Sequence, residues 1–362
     1  MLYRTNRMFR TEVSMKTALK KIVPLSLIAL TAAQVLCSCA SAQKSEPYQK
    51  SGFYFDTIIN LTLYGQDGQK ESNFDGAFAL AQKYDNLLSM QKEGSDINRI
   101  NANPKSWVEV DPATIEVLKD GIRYSQESSG SFDITVGKLS SLWNISDAAE
   151  NDHKGQIPSQ DQIRPLLSHI GCDKIKIDGN KVMLDDDQTA IDLGGIGKGY
   201  IADKMKEYLL SQGVKSGLIN LGGNVLVIGQ KPDKTDFEIG IQKPFDQDGD
   251  VLASVKLNDQ TAVTSGIYQR YFKGEDGTIY HHMLNLKSGY PEQNDLSSVT
   301  IICKESTEAD ALSTITYLKG KDEGIKFIES LDGVEAVFID RDNHISYSSG
   351  IGKKIPFREI SQ

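Results

Sequence analysis

Cysteine is scarce in this 362-residue chain, with four in all. Cys37 and Cys39 close an apolar front segment, so only Cys172 and Cys303 remain for the body. Their spacing makes neither a Cys-x-x-Cys redox pair nor a zinc site. They read as two buried thiols or as one disulfide in an oxidising compartment, with thiols the expected state. Long apolar runs are lacking too. The stretch Ile22 to Leu36 is interrupted by Pro24 and is shorter than the roughly 20 residues that span a bilayer, so no permanent transmembrane helix is expected. No internal repeat is visible, and no Pro/Gly/Ser linker divides the body. Basic charge is also short, with 40 Lys and Arg against 49 Asp and Glu, a net charge of −9. Residues 1–38 carry six of the basic residues and one acid, Glu12; without them 34 basic and 48 acidic residues remain, a net −14. A body this acidic repels a phosphate backbone, which argues against general nucleic-acid binding. Any phosphate it handles must be held locally, by backbone N–H groups, a metal or a few placed lysines. With 39% apolar and 25% charged residues, the chain is neither a polytopic membrane protein nor mostly disordered. Its length allows one large domain or two of ordinary size.

The front segment has the architecture of an export signal. Lys16, Lys20 and Lys21 precede the short apolar stretch, a basic n-region followed by an h-region. Met15 is an alternative start that alone leaves a normal signal. Leu36-Cys37-Ser38-Cys39 looks like a bacterial lipobox, with Leu at −3, Ser at −1 and Cys39 as the acylated residue. A plain cleaved signal with incidental cysteines is the other reading. The expected division is a signal over residues 1–38, a lipidated Cys39 with a polar, flexible tether over 39–50, and one domain over 51–362. The protein is then exported and lipid-anchored to a bacterial membrane, facing the periplasm from the inner membrane.

Along the body, Phe53 to Tyr64 reads as a strand, and Asp75 to Leu88 as a helix. A second helix is expected over Pro112 to Ser128, capped by Asp111. Ile175–Ile177 and Lys181–Leu184 flank Asp178-Gly179-Asn180, a hairpin signal. Gly199 to Gln212 reads as a helix; Gly217–Gly229, Phe237–Gln242, Val251–Leu257, Thr261–Ser265, Tyr268–Phe272 and Ser297–Ile302 read as strands. Two helices, Thr307–Leu318 and Gly324–Ser330, and a hairpin of Val334–Asp340 with His344–Tyr347 close the chain. Helices and strands intermix without regular βαβ alternation, so α+β is preferred over doubly wound α/β.

Five stretches carry candidate chemistry. Ile191-Asp-Leu-Gly-Gly-Ile-Gly-Lys-Gly-Tyr-Ile-Ala-Asp203 sets four glycines and Lys198 before a helix, where N–H groups and the dipole can meet a phosphate. It is not a Walker A loop, because Gly199 follows Lys198 where Ser or Thr is required. A tight structural turn is the competing reading. In Gly217-Leu-Ile-Asn-Leu-Gly-Gly-Asn-Val-Leu-Val-Ile-Gly229 the paired glycines mark a bulge or a close backbone approach, or simply sheet packing. Ser131-Phe-Asp-Ile-Thr-Val-Gly-Lys-Leu-Ser-Ser-Leu-Trp143 offers an Asp and hydroxyls, or else a capped turn and a core tryptophan. His282, in Tyr280-His-His-Met-Leu-Asn-Leu-Lys-Ser-Gly-Tyr-Pro291, is either catalytic or structural. Asp310 and Thr314 stand at i and i+4 on one helix face, with Ser313 alongside. That is hard oxygen chemistry suited to magnesium sharing phosphate oxygens, unless Asp310 is only a helix cap.

Together these stretches resemble the ApbE family, the FAD:protein FMN transferases, also seen as periplasmic flavin-trafficking lipoproteins. FDITVGKL…LW, IDLGGIGKGYIAD, NLGGN, TSGIYQRYF, HHMLNLKSGYP and ADALST occur in the family's order, over essentially the whole body from about Phe53. The resemblance implies a single α+β domain of the flavin-trafficking, T-fold-like type, with FAD in a cleft and magnesium against its pyrophosphate. It implies nucleotide contacts at Ser131, Phe132, Asp133, Asp192, Lys198 and Leu284, and at Phe55 and Gln91 where the family carries a Met and an aromatic. It implies metal binding by the Gly195 carbonyl and by Asp310, Ser313 and Thr314. One departure concerns the histidine segment. Where the family often has HIIDPRTG, this chain has His282-Met-Leu-Asn285-Leu-Lys-Ser-Gly289, without the Asp and Pro.

The activity so implied is Mg²⁺-dependent transfer of FMN from FAD to a Ser or Thr hydroxyl, with His282 as base, Lys198 adding charge at the phosphates, and AMP leaving. The implied acceptors are flavin-carrying subunits of a sodium-pumping NADH:quinone reductase or an Rnf-type complex, modified in a Ser/Thr-Gly-Ala-Thr-like segment. Hydrolysis of FAD to FMN and AMP and non-catalytic flavin carriage are the alternatives, the latter raised by the changed histidine segment.

Overall fold

A computed structural model of the chain describes residues 46–360 apart from positions 152 and 247. The front apolar segment, Met15 and Cys39 lie outside the described residues. The stretch Phe53 to Tyr64 is a hairpin rather than one strand. β1 (Tyr48–Tyr54) pairs antiparallel with β2 (Thr57–Leu63), and the two residues between them, Phe55 and Asp56, have φ of 53° and 52°. Two left-handed residues form the tight turn that matches strand twist. Neither is glycine, so residue type did not announce the turn. β1 begins at Tyr48, inside the segment 40–50 expected to be tether. The Gly217–Gly229 stretch folds back likewise, as β3 (Gly217–Leu221) and β4 (Asn224–Ile228), with Gly222 and Gly223 turning at φ 56° and 96°. Its paired glycines are a hairpin turn, not a bulge.

β5 (Thr261–Gly266), β6 (Leu296–Cys303), β7 (Glu335–Asp340) and β8 (Ile345–Tyr347) complete an eight-stranded sheet. Its strands lie side by side in chain order and every neighbouring pair is antiparallel. The α+β class follows, because no parallel crossover is needed. A separate ribbon pairs Tyr271–Lys273 with Ile279–His281, so the strand expected over Tyr268–Phe272 is shorter and shifted. The Ile175–Asp178 and Lys181–Leu184 hairpin forms as expected.

Four helices matter for the site: α1 (Glu71–Leu88), α2 (Pro112–Glu127), α3 (Gly197–Ser211) and α4 (Ser306–Glu329). Asp111 caps α2, its carboxylate accepting the Ala113 N–H at 2.8 Å. Gly320, at φ 71°, breaks α4 into the two segments that the sequence pattern separates.

Alternation along the strands feeds two cores. Val263 and Ile301 face the helices and pack in a cluster with Ile201, Met205, Leu312 and Ile315. Ala262 and Ile302 face the other way, against Ile239, Ala253 and Val255 of a small sheet formed by Phe237–Gln242, Val251–Leu257 and Phe357–Glu359. With both faces covered, all eight residues of β6 are buried. Each such Ile or Val contributes about 1.5–3 kcal/mol. A third cluster gathers Leu139, Trp143, Ile163, Phe272 and Leu284. Trp143 is anchored in it by an Nε1–H bond to the Gly289 carbonyl at 2.7 Å. Cys172 and Cys303 are free thiols, and Cys303 is buried. Among the described residues no helix is long and apolar enough to cross a membrane.

α3 and α4 cap each other's first turns. A helix start leaves four N–H groups unpaired. In α4 two of these, Ser306 and Thr307, donate to the Asp203 carboxylate of α3 at 2.9 and 2.8 Å; the Thr307 hydroxyl adds a third bond at 2.7 Å. In return the Gly199 N–H of α3 donates to Asp310 Oδ2 of α4 at 2.9 Å. Gly199 permits the approach, because a Cβ there would run into the Ser306 carbonyl.

Desolvation raises the Asp203 pKa from 3.8 to about 6, against the opposing pull of its hydrogen bonds. Between those values the folded protein keeps a proton that the unfolded chain has released. The stability tied to this group is therefore full at acid pH and is lost as pH rises through about 6. Asp203→Asn removes the titration, so its destabilisation is expected to be about 1 kcal/mol larger at pH 5 than at pH 7. Chemical denaturation at the two pH values measures this; equal losses contradict it.

Candidate active site

One cleft of about 440 Å³ receives nearly every residue singled out from the sequence. Phe55, Gln91, Ser131, Phe132, Asp133, Asp192, Gly195, Lys198, His282, Leu284, Asp310 and Thr314 all line it. Segments 131–137 and 190–198 lie side by side. Val136 bridges Ala190, the Gly137 N–H donates to the Ala190 carbonyl at 2.9 Å, and the Asp192 N–H donates to Ile134 O at 2.8 Å. Asn101 brackets Ile191 from the far side, donating to its carbonyl at 2.9 Å and accepting its N–H at 2.7 Å. Asp192 Oδ1 then takes the Gly194 N–H at 2.8 Å and starts the glycine turn that delivers the chain to α3.

The positive end of α3 points its first residues at this cleft. Lys198 Nζ donates to Gly194 O at 3.2 Å and stands 3.8 Å from Asp310 Oδ1. Phe55 closes the wall above Gly197, where an added Cβ would lie 2.8 Å from the ring. Gln91 lies on the opposite loop, giving an amide where the family pattern led us to expect an aromatic.

Two of the expected residues have their side chains engaged by other parts of the chain. Asp133 reaches the cleft wall, but its carboxylate is engaged internally by the Ser125 hydroxyl, the Cys172 N–H, the Thr135 N–H and the Thr135 hydroxyl, at 2.6–2.9 Å. Its side chain holds the 131–137 turn. Ser313 is wholly buried, behind the residues that line the cleft. Its hydroxyl donates back to the Asp310 carbonyl at 2.8 Å, as helical serines do, and meets Ser265 at 2.7 Å. Ser265, on β5, occupies the cleft wall instead, with its hydroxyl 3.5 Å from Thr314 Oγ1. Ser265 and Arg270 were missed as individual residues. The only signal for them was the TSGIYQRYF stretch that contains both.

Asp310 is 3% exposed, and its Oδ1 remains beyond hydrogen-bond distance of Lys198. Thr314 Oγ1 lies within 3.7 Å of where a Gly195 Cβ would stand, so the loop backbone and the hydroxyl are neighbours. A buried carboxylate that lines one cleft with the Thr314 hydroxyl and the Gly195 backbone fits a hard divalent cation that also keeps substrate oxygens.

The adjacent histidines have opposite fates. His281 is fully buried, with Nε2 bonded to Glu292 O at 2.8 Å and Nδ1 accepting the Met283 N–H at 3.3 Å. Burial pulls its pKa down to about 4, so it is a neutral structural ring. His282 opens into the cleft. Poor hydration against the protein walls, then the positive charges of Arg270 and Lys198, hold its pKa below 6.5. The ring is exposed at the surface of the cleft, and water offsets part of that shift. A neutral imidazole at neutral pH follows on either weighting, as a general base requires. The turn beyond it survives the loss of Asp and Pro. Asn285 Oδ1 takes the Lys287 and Ser288 N–H groups at 2.9 and 3.3 Å, and its Nδ2 donates to Glu292 at 2.6 Å.

An open neutral imidazole, a helix N-terminus and a metal-ready oxygen set within one cleft define a site for cleaving and transferring nucleotide phosphates. The family model described as ApbE family matches residues 55–338, and the chain belongs to that family. A relative named FAD:protein FMN transferase, from Klebsiella pneumoniae, is 32% identical over 83% of this chain and 92% of its own. Another of that name, from Treponema pallidum, is 27% identical over 89% and 93%. The crystal structure of the ApbE protein from Thermotoga maritima superposes with a TM-score of 0.77 at 31% identity, covering 84% of this chain and 97% of the other. That of the Pseudomonas stutzeri flavinyl transferase ApbE gives 0.75 at 27%, covering 85% and 96%. The single α+β domain expected from the sequence is the fold these structures share.

Proposed function

We propose that this chain transfers the FMN moiety of FAD to a hydroxyl of an acceptor flavoprotein. The observation that carries this reading is the convergence of His282 with Asp310, Thr314 and the Gly195 loop in one cleft. Magnesium would be held by Asp310, Thr314 and the Gly195 carbonyl, and when bound it would offset charge on the pyrophosphate oxygens. The α3 N-terminus and Lys198 favour the same charge, and Phe55 offers an aromatic face to a flat ring. His282 accepts the proton of a Ser or Thr hydroxyl as that oxygen bonds to the FMN phosphorus. The bond to the AMP oxygen breaks and AMP leaves with the electron pair. This accounts for an acidic body that handles an anionic nucleotide, since the cation and amides act at short range.

The acceptor class that suits this chemistry is a flavin-carrying subunit of a respiratory complex of the sodium-pumping NADH:quinone reductase or Rnf kind. The lipobox ending in Cys39 would place the enzyme on the periplasmic side of the inner membrane. Loss of labelled-palmitate incorporation in Cys39→Ser checks the anchor, and retained incorporation removes it.

Incubation with FAD, Mg²⁺ and an acceptor domain is expected to yield in-gel flavin fluorescence with equimolar AMP. AMP without fluorescence indicates hydrolysis, and tight FAD binding with neither product indicates a carrier. His282→Ala is expected to lower labelling by about 10²–10⁴-fold while FAD still binds. Labelling at the wild-type rate would remove His282 as the base.

A further inference from the structure

Arg270 joins three parts of the cleft that are distant in sequence. Nη1 of its guanidinium donates to the Ser146 hydroxyl at 3.1 Å, on the short helix Ile145–Glu150. Nη2 donates to the Asp56 carbonyl at 3.4 Å, at the left-handed tip of the β1–β2 hairpin beside Phe55. The backbone carbonyl of Arg270 lies 3.3 Å from His282 Nδ1. A carbonyl only accepts, so this contact requires the proton on Nδ1 and leaves the Nε2 lone pair free.

We propose that Arg270 is a positioning residue for His282: its side chain, tied at Ser146 and Asp56, fixes the carbonyl that selects the Nδ1–H tautomer and so presents Nε2 as the basic nitrogen. The proposal rests on the reading in which His282 takes the hydroxyl proton. A planar guanidinium suits the task, because its two terminal nitrogens hold two separate acceptors in a rigid fork that a freely rotating ammonium lacks. The same side chain is one of the cations facing His282, with Lys198 from α3, while the adjoining His281 is neutral. Its removal therefore acts on both the tautomer and the proton affinity of the ring.

The test combines ¹⁵N histidine correlation spectra of the flavin-free protein with labelling kinetics across acid to neutral pH. In wild type the His282 signals are expected to report Nδ1–H. In Arg270→Ala they shift toward the Nε2–H form, which a free neutral imidazole prefers. The kcat for labelling falls by about 10²-fold, the loss typical of a misplaced reacting group, while KM for FAD moves far less. The acid limb of the rate profile moves to higher pH, because a cation has left the ring's surroundings. Arg270→Lys restores the limb but little of kcat. Ser146→Ala cuts one anchor, keeps every charge and is expected to lose part of kcat with the limb unmoved; it keeps the claim testable should Arg270→Ala not fold. An Nε2–H ring in wild type overturns the proposal, as do an unchanged tautomer and kcat in Arg270→Ala or in Ser146→Ala. The tautomer is read without flavin, so a protein that labels no acceptor refutes the proposed function while the spectra still decide the role of Arg270.

Discussion

The reciprocal capping of α3 and α4 is the constraint on which the rest of the site depends. Each helix start would otherwise bury unpaired N–H groups, at a cost of about 1–3 kcal/mol apiece. Asp203 and Asp310 resolve both ends with the same contact. The consequence reaches the chemistry directly. The carboxylate that closes the start of α3 also leaves its other oxygen 3.8 Å from Lys198 Nζ, in the cleft that Thr314 and the glycine loop line. The helix contact and the cleft wall therefore share one residue, Asp310.

Charge is handled with the same economy. In a body of net −14 the cleft sets Lys198 and Arg270 among four carboxylates, Asp56, Asp133, Asp192 and Asp310. Both cations are tethered by oxygen acceptors, Lys198 by Gly194 O and Arg270 by Ser146 and Asp56. Tethering limits their reach and leaves His282 as the group free to exchange a proton.

Much of this was legible in the chain before any coordinates. Asp310 and Thr314 shared a helix face by spacing alone, and the glycines of 194–199 marked a helix start near a ligand. Resemblance to ApbE then tied His282 and the 131–137 turn to the same cleft. What escaped the sequence was conformational or mutual. The Phe55–Asp56 turn lacks the glycine that would signal left-handed backbone, and Gly222-Gly223 looked like a bulge because the strands on either side read as one. Asp133 and Ser313 carry the right atoms, but hydrogen bonds to partners as remote as Cys172 and Ser265 engage them. Such pairings depend on which strands become neighbours, and a linear pattern does not contain that.

The central claim is that Asp310, Thr314 and the Gly195 carbonyl form the metal site of the phosphate-transfer cleft. Anomalous diffraction from crystals grown with Mn²⁺ and FAD tests it most directly. The account predicts a manganese peak between those three oxygens and the flavin pyrophosphate, absent in Asp310→Ala. A peak found only at the surface cluster of Asp340, Asp342 and His344, with FAD bound in the cleft, would contradict it.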